Sequence, residues 1–303
     1  MICSVKTLTA ATTIAFASIS VAHADSSLLF PYVVSSDTAY TFVSLYQNPY
    51  APRNAEQQTD KISTIFEIGS FYKSLNPDEE APGGHSSYYE VEAPGTLFQW
   101  EAGGRFDLAS DFGDNLSLPT ETMRDNSYGF MTVQYSNDRK SPGGGQMYGE
   151  ALVVDTATGM IMSYPALHIH SPEGDFKQLG ATEFATSWFP NSIAGTSWYV
   201  LPLNFLDNTW WWPVENDIEI STNSDSPGAF GRNGNYHESE VVNKKINGFD
   251  IIRLSDLTRD SQNFSMGGWA TFKTSEPALV WKIQQSYEMG FAAATMSPVP
   301  IVQ

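Results

Sequence analysis

Two histidines, His168 and His170, are the residues best matched by type and spacing to a chemical task. Residues two apart on a strand face one side, so the pair offers two imidazoles to a single ion. Neutral imidazole suits Zn²⁺ or Cu²⁺, and His85, His237 or the carboxylate of Glu173 would supply a third donor. Two half-exposed histidines at a strand end, just before Ser171 and Pro172, have the same spacing. A second donor set is Asp107, Asp111 and Asp114 with Asn115, in a Gly-containing, loop-like stretch. Oxygen ligands in a loop suit Ca²⁺. The spacing is not that of an EF-hand, and a solvated turn has the same composition.

A third feature is the run Trp210, Trp211, Trp212 before Pro213. Successive strand residues alternate faces, so the three indoles cannot all be buried on one side. At least one is expected to be exposed or to fill a gap between domains. An exposed indole stacks on a sugar ring or on a partner's apolar surface and keeps an N–H for hydrogen bonding.

Nucleophile signatures are absent: there is no G-x-S-x-G elbow and no H-E-x-x-H. Residues 141–145 (SPGGG) lack the lysine of a phosphate-binding loop. A carboxylate pair for glycoside hydrolysis stays open, because 34 acidic residues offer many pairs. Glu90, Glu92, Glu150 and Glu219 sit in or near predicted strands, where each also reads as an outward-facing residue. Three functions follow. The leading one is a non-enzymatic binding or structural module with an unknown protein or glycan partner. The second is a secreted carbohydrate-active hydrolase using a carboxylate pair, with the Trp run as platform. The third is a periplasmic metal-binding protein built on His168 and His170.

The elements that must hold these residues are strands. Aromatic residues make up 13% of the chain and charged residues only 17%, a mixture suited to short strands with Gly/Pro turns. Period-two alternation recurs at 39–45, 61–68, 96–100, 128–135, 147–154 and 160–164, then at 197–203, 217–222, 249–254, 268–273 and 278–284. The stretch 136–145 reads as a long hairpin loop, 155–159 as a tight turn, Pro202 as the mark of an edge strand, and 255–263 as a short helix with Ser255 as N-cap. No apolar period of helical spacing lasts three turns. The fold class is all-β, expected as two antiparallel β-sandwiches. Residues 25–170 form the first, 171–191 a linker or long loop, 192–297 the second, and 298–303 a tail. Gly104-Arg105-Phe106-Asp107 and Gly248-Phe249-Asp250, each followed by a polar gap and a Gly-aromatic strand, form a weak repeat. Either an old duplication or the shared vocabulary of β-proteins accounts for it.

Residues 1–24 read as a signal peptide. Lys6 opens it, an uncharged stretch of apolar and small residues follows, and Ala22-His23-Ala24 fits the cleavage rule. The stretch is shorter than the roughly 20 apolar residues of a lasting membrane span. The one cysteine, Cys3, lies inside it, so the mature chain is expected to have no disulfide and no thiolate chemistry. A net charge of −18 with no basic stripe argues against nucleic acid and anionic membranes. The expected location is the periplasm or the exterior.

The opening of the expected mature chain, Leu28-Leu29-Phe30-Pro31-Tyr32-Val33, with Phe42-Val43-Ser44-Leu45 and Asn48, resembles a group of uncharacterised exported bacterial proteins. The later strands YGFMTVQY (128–135) and GEALVVD (149–155) also resemble that group, over about the first half of the chain. The resemblance implies export and a β-sandwich, and it carries no functional residues.

Overall fold

A computed structural model of the chain describes residues 27–47, 64–76, 78, 83–91, 97–106, 122–135, 147–169, 176–190, 192–204, 214–224, 240–257, 267–286, 291–296 and 299–300. In the first half run β1 (Ser27–Ser35), β2 (Ala39–Gln47), β3 (Thr64–Ser74), β4 (Gly83–Val91), β5 (Leu97–Glu101), β6 (Ser127–Tyr135), β7 (Met147–Asp155), β8 (Met160–Pro165) and β9 (Leu167–Ile169). In the second run β10 (Ala181–Trp188), β11 (Gly195–Pro202), β12 (Glu215–Ser224), β13 (Glu240–Asn247), β14 (Asp250–Arg253), β15 (Gly268–Ser286), β16 (Phe291–Met296) and β17 (Val299–Pro300). The only helical pieces among the described residues are two 3₁₀ turns, Phe176–Leu179 and Leu254–Asp256. The fold is all-β and its ladders are antiparallel. None of its described helices is long and apolar enough to cross a membrane.

Three sheets result, with orders β4-β3-β6-β1-β9, β5-β2-β7-β8, and β13-β12-β15-β10-β17, the last joined by β11, β14 and β16. β1 is interior to the first sheet, between β6 and β9, and every residue in it is buried. A strand covered on both faces reads as a continuous apolar run, not an alternation, hence the LLFPYVV text. Its register against β6 shifts between Phe30 and Val33, and Pro31 falls inside that irregularity, where a missing N–H does no harm to the ladder.

Several local readings change. β6 pairs with β3 and β1, whereas β7 pairs with β2 and β8, so residues 136–146 connect two sheets and are not the loop of a hairpin. Alternation fixes a strand's faces but not its partner, and a loop that long fixes no register. The tight turn at 155–159 is present: Asp155 Oδ1 accepts from the Ala157 N–H at 2.9 Å, and Asp155 Oδ2 from the Thr158 hydroxyl at 2.8 Å. The stretch read as a linker contains β10, an interior strand between β15 and β17. Its alternation, with Phe184, Thr186 and Trp188 inward, is diluted by Thr and Ser. At 254–256 the chain makes a single 3₁₀ turn whose cap position is Arg253, so Ser255 caps nothing. Pro202 does not mark an edge. It is the last residue of β11, past the Ser197–Val200 stretch where β14 pairs, while β15 continues alongside.

The segments 268–273 and 278–284 are one strand. The first part of β15 pairs with β12 and β10, the second with β11 and β16. The change of partners falls at Ser275–Pro277, again where proline removes a donor that no ladder uses. The Thr274 hydroxyl donates to Glu276 O at 2.7 Å, and the Leu203 N–H to Pro277 O at 2.7 Å, which fixes the corner.

The second half of β15, with β11, is buried on both faces, and β14 flanks them with Ile252 buried and Arg253 exposed. Trp198, Val200, Ile252 and Val280 join a cluster with Phe184, Ile218, Ile220 and Phe272. Tyr199, Leu201, Phe249, Leu279, Trp281 and Ile283 join the cluster that holds Leu28, Phe30, Val43, Phe130 and Val153 of the first half. The boundary expected at 171–191 is thus crossed by one continuous apolar cluster. Its seam is aromatic: Tyr32 meets Tyr199 edge-on at 5.1 Å, Tyr164 meets Trp281 at 4.7 Å, and Phe249 takes Tyr128 at 5.7 Å. At its rim Lys73 Nζ donates to Phe249 O and lies over the Phe249 ring. Lys244 pairs with Asp250 at 2.9 Å, and the Tyr128 hydroxyl donates to Asp250 at 3.3 Å. Burial pushes the Lys73 ammonium down, with Asp250 opposing.

Burial raises the phenols of Tyr32, Tyr128, Tyr164 and Tyr199, Tyr32 to about 12. A phenol with a raised folded pKa contributes stability that is intact below the ordinary value of 10.0 and is lost as pH climbs through the folded value. The expected outcome is an alkaline unfolding transition in the window from pH 10 to 12 and above. Each seam tyrosine steepens it by about 1.4 kcal/mol per pH unit, and tyrosinate absorbance should rise together with loss of near-UV dichroism. Among the described residues the Tyr199 hydroxyl has no hydrogen-bond partner. Tyr199→Phe should therefore raise stability in urea by about 1 kcal/mol and move the alkaline midpoint upward.

Candidate binding face

The four-stranded sheet β5-β2-β7-β8 buries one face and opens the other. On the buried side Val43, Leu45, Phe98, Trp100, Ala151, Val153 and Tyr164 enter the large core cluster. Gly149 lets β7 sit close to β1: a Cβ there would lie 2.5 Å from the Phe30 ring. The opposite positions of the same strands face solvent, as strand alternation requires.

What they present is not an ordinary polar surface. Tyr46 is 40% exposed, Leu97 41%, Tyr148 45%, Leu152 37% and Ile161 71%. The register makes rows of them. Tyr46 lies opposite Tyr148 on one side and Leu97 on the other. Two residues along, Ser44 lies between Gln99 and Glu150, and Glu150 is opposite Pro165. Two further on, Phe42 lies opposite Leu152, which faces Ser163. The polar residues bond along the sheet: Gln99 Nε2 donates to Ser44 Oγ at 3.1 Å, and the Ser163 hydroxyl to Glu150 Oε1 at 2.9 Å. Phe106 closes one end, with its ring 5.2 Å from Tyr40 and 5.4 Å from Phe42. Large exposed apolar side chains gathered on one face mark interaction surfaces more often than singly scattered ones do.

A polar latch holds that end. Glu101, at the close of β5, is buried, and its two oxygens accept from the Gly103 N–H at 2.9 Å and the Arg105 N–H at 2.7 Å. The turn so formed aims Arg105 at Asp125 (3.0 Å), Asp37 (3.3 Å), the carbonyl of Ser36 and the Tyr40 ring. Gly104 has φ of 72°, as Gly248 has 75° in the second G-F-D segment, so the two halves of the weak repeat share a left-handed glycine before the phenylalanine. Sequence reasoning missed Glu101. A carboxylate followed directly by Ala-Gly-Gly is the one signal, since small residues leave backbone N–H groups open to it.

Of the residues picked out by sequence, His168 lies on β9, half-buried and opposite Leu28. His170, Asp107, Asp111, Asp114, Trp210, Trp211 and Trp212 lie outside the described residues, as do Glu173, His237 and the leader 1–24 with Cys3. His85 is on β4, opposite Ser70. Among the described residues no three His, Cys, Asp or Glu side chains come together as a metal would need. Asn204 and Asn216, which precede and follow that Trp run in the sequence, form a buried pair: Asn204 Nδ2 donates to Asn216 Oδ1 at 2.9 Å. Of the carboxylates considered for hydrolysis, Glu150 is on the open face just described, and Glu219 points outward beside Lys273 at 3.7 Å. A smaller exposed group, Trp269, Phe189 and Val241, lies on the large sheet. Comparison with known proteins gives no matching family model, no matching curated protein and no matching solved structure.

The latch and the face should separate in mutagenesis. Glu101→Ala removes two charge-assisted bonds from the turn's part-buried backbone N–H groups to a buried carboxylate, and urea unfolding should show a loss of about 3 kcal/mol. Tyr148→Ser or Leu152→Ser should each cost less than about 1 kcal/mol, because only cross-strand contacts on an open face are lost.

Proposed function

We propose that this chain is an exported, non-enzymatic binding module whose working surface is the open face of the β5-β2-β7-β8 sheet. One observation carries the reading: five large apolar side chains, Tyr46, Leu97, Tyr148, Leu152 and Ile161, stand exposed together on one face of that sheet. Leaving them in water forgoes the roughly 25 cal/mol per Å² that burial would return, and their substitution leaves the core untouched. The same face supports binding better than chemistry. Among the described residues Glu150 is its one solvent-open carboxylate, and Glu101 is committed to the backbone of its own turn. Export rests on the leader-like 1–24 segment, on a sequence with no cysteine after Cys3 and on the resemblance of the opening phrase to exported proteins.

The test uses the chain from Asp25 onward and isolated envelopes of the cells that produce it. The expected result is retention of the protein on washed envelopes. A variant with Tyr46, Leu97, Tyr148 and Leu152 all changed to Ser should lose it by about tenfold while still unfolding in one cooperative thermal transition above the assay temperature. Equal retention of the two proteins would end the assignment of this face.

A further inference from the structure

We infer that the occupant of the open face is a neutral glycan, an inference that rests on that face being the binding surface. The charge of the chain narrows the choice first. The chain carries −18, and the solvent-open strand positions of the face include Glu150 but no lysine or arginine. The nearest described cation, Arg105, is bonded to Asp37 and Asp125 at the Tyr40 end. A polyanion finds no counter-charge here, and a second copy of this chain would bring another −18 against the first. An uncharged partner meets neither obstacle.

The pattern of the face then fits a sugar. Strand rows two residues apart are separated by about 7 Å. The rows read apolar (Leu97, Tyr46, Tyr148), then hydrogen-bonding (Gln99, Ser44, Glu150), then apolar at the centre (Phe42, Leu152), with Ser163 beside Leu152 reaching back to bond Glu150. A pyranose ring has the matching division: a face of C–H groups that lies against an aromatic ring, and hydroxyls at its edge that both donate and accept. The polar row offers both functions. Gln99 and the serines donate and accept, and Glu150 accepts. Gln99–Ser44 and Ser163–Glu150 are already hydrogen-bonded to one another. These side chains are therefore held in place along the sheet before any ligand arrives, which lowers the ordering cost of binding. A docking protein would be expected to meet charged rim residues around an apolar centre, whereas here a polar row separates two apolar ones.

The experiment is calorimetric titration of the chain from Asp25 onward with neutral gluco-, xylo-, manno- and chito-oligosaccharides of four to six units. Binding to at least one of them is expected. Tyr148→Ala should weaken it by about tenfold, which is 1.4 kcal/mol, and Gln99→Ala should weaken it measurably. Tyr148→Phe, which keeps the ring, should bind within twofold of the parent, and so should Trp269→Ala on the other sheet. No binding to any of the four series, or binding that Tyr148→Ala leaves unchanged, overturns the inference. The envelope assay tells that failure from failure of the surface itself. If retention depends on the four face residues, is abolished by treating the envelopes with protease and is not competed by the oligosaccharides, the face binds a protein and the glycan inference falls alone. If retention ignores the face residues, both fall.

Discussion

The structure depends on one strand changing partners. β15 pairs with β10 and β12 up to Thr274 and with β11 and β16 after Pro277, Ala278 alone lying opposite both Ala181 of β10 and Pro202 of β11. That change lets the second part of β15, with β11, become a layer buried on both sides. One side completes the cluster around Phe272, and the other completes the cluster that begins at Leu28. A strand that contributes Val280 to one core and Trp281 to the other cannot move without disturbing both. Each half of the chain therefore has an apolar face that only the other half covers, which is how a protein with no disulfide available to the sequence after Cys3 holds itself together.

The seam is unusual in what it buries. Four tyrosines are a costly way to fill a core, since each hydroxyl must find a partner or go without. Tyr164 donates to the Tyr32 carbonyl and Tyr128 to Asp250, whereas Tyr199 finds none among the described residues. What the rings return is edge-to-face packing between residues drawn from β1, β6, β8, β11, β15 and the turn before β14, each contact bringing distant parts of the chain together. The Lys73, Lys244 and Asp250 group then closes the rim at one place, so that the polar ends of the seam reach charge instead of apolar packing.

Strand text was legible where a strand is covered on one face only. β2, β7 and β12 alternate cleanly and lie within two residues of where period-two reasoning puts them. It failed where burial is two-sided or where small polar residues fill inward positions. β1 shows no alternation because nothing in it faces water, and β10 was hidden by its threonines and serine. Partnership was not legible at all. Nothing in 128–135 or 147–154 says that these neighbours in sequence belong to different sheets, because that choice is made by side chains far away in the chain. The candidate face suffered the same blindness. Tyr46, Leu97 and Tyr148 are unremarkable singly, and they become a row only through a register that sequence does not carry. Sequence reasoning therefore looked to compact local signals, His-x-His and the Trp run, whereas the surface that emerged is assembled from four separate strands.

The open face also bears on why this sheet has four strands and one side covered. A sheet that must be stable alone buries both faces or keeps its outer face polar. Here the inner face is anchored by Gly149 against Phe30 and by Tyr164 against Trp281, which ties the sheet to both halves of the core at once. The stability of the sheet is thus secured from behind, and its front is released from any packing duty. The latch at Glu101 and Arg105 works in the same direction. It satisfies the turn after β5 with a buried carboxylate and fixes the Phe106 end without drawing Tyr46, Tyr148 or Leu152 into the fold. Side chains that contribute little to holding the protein up, yet are arranged in register and served by a pre-bonded polar row, are best explained by something outside the chain that they meet.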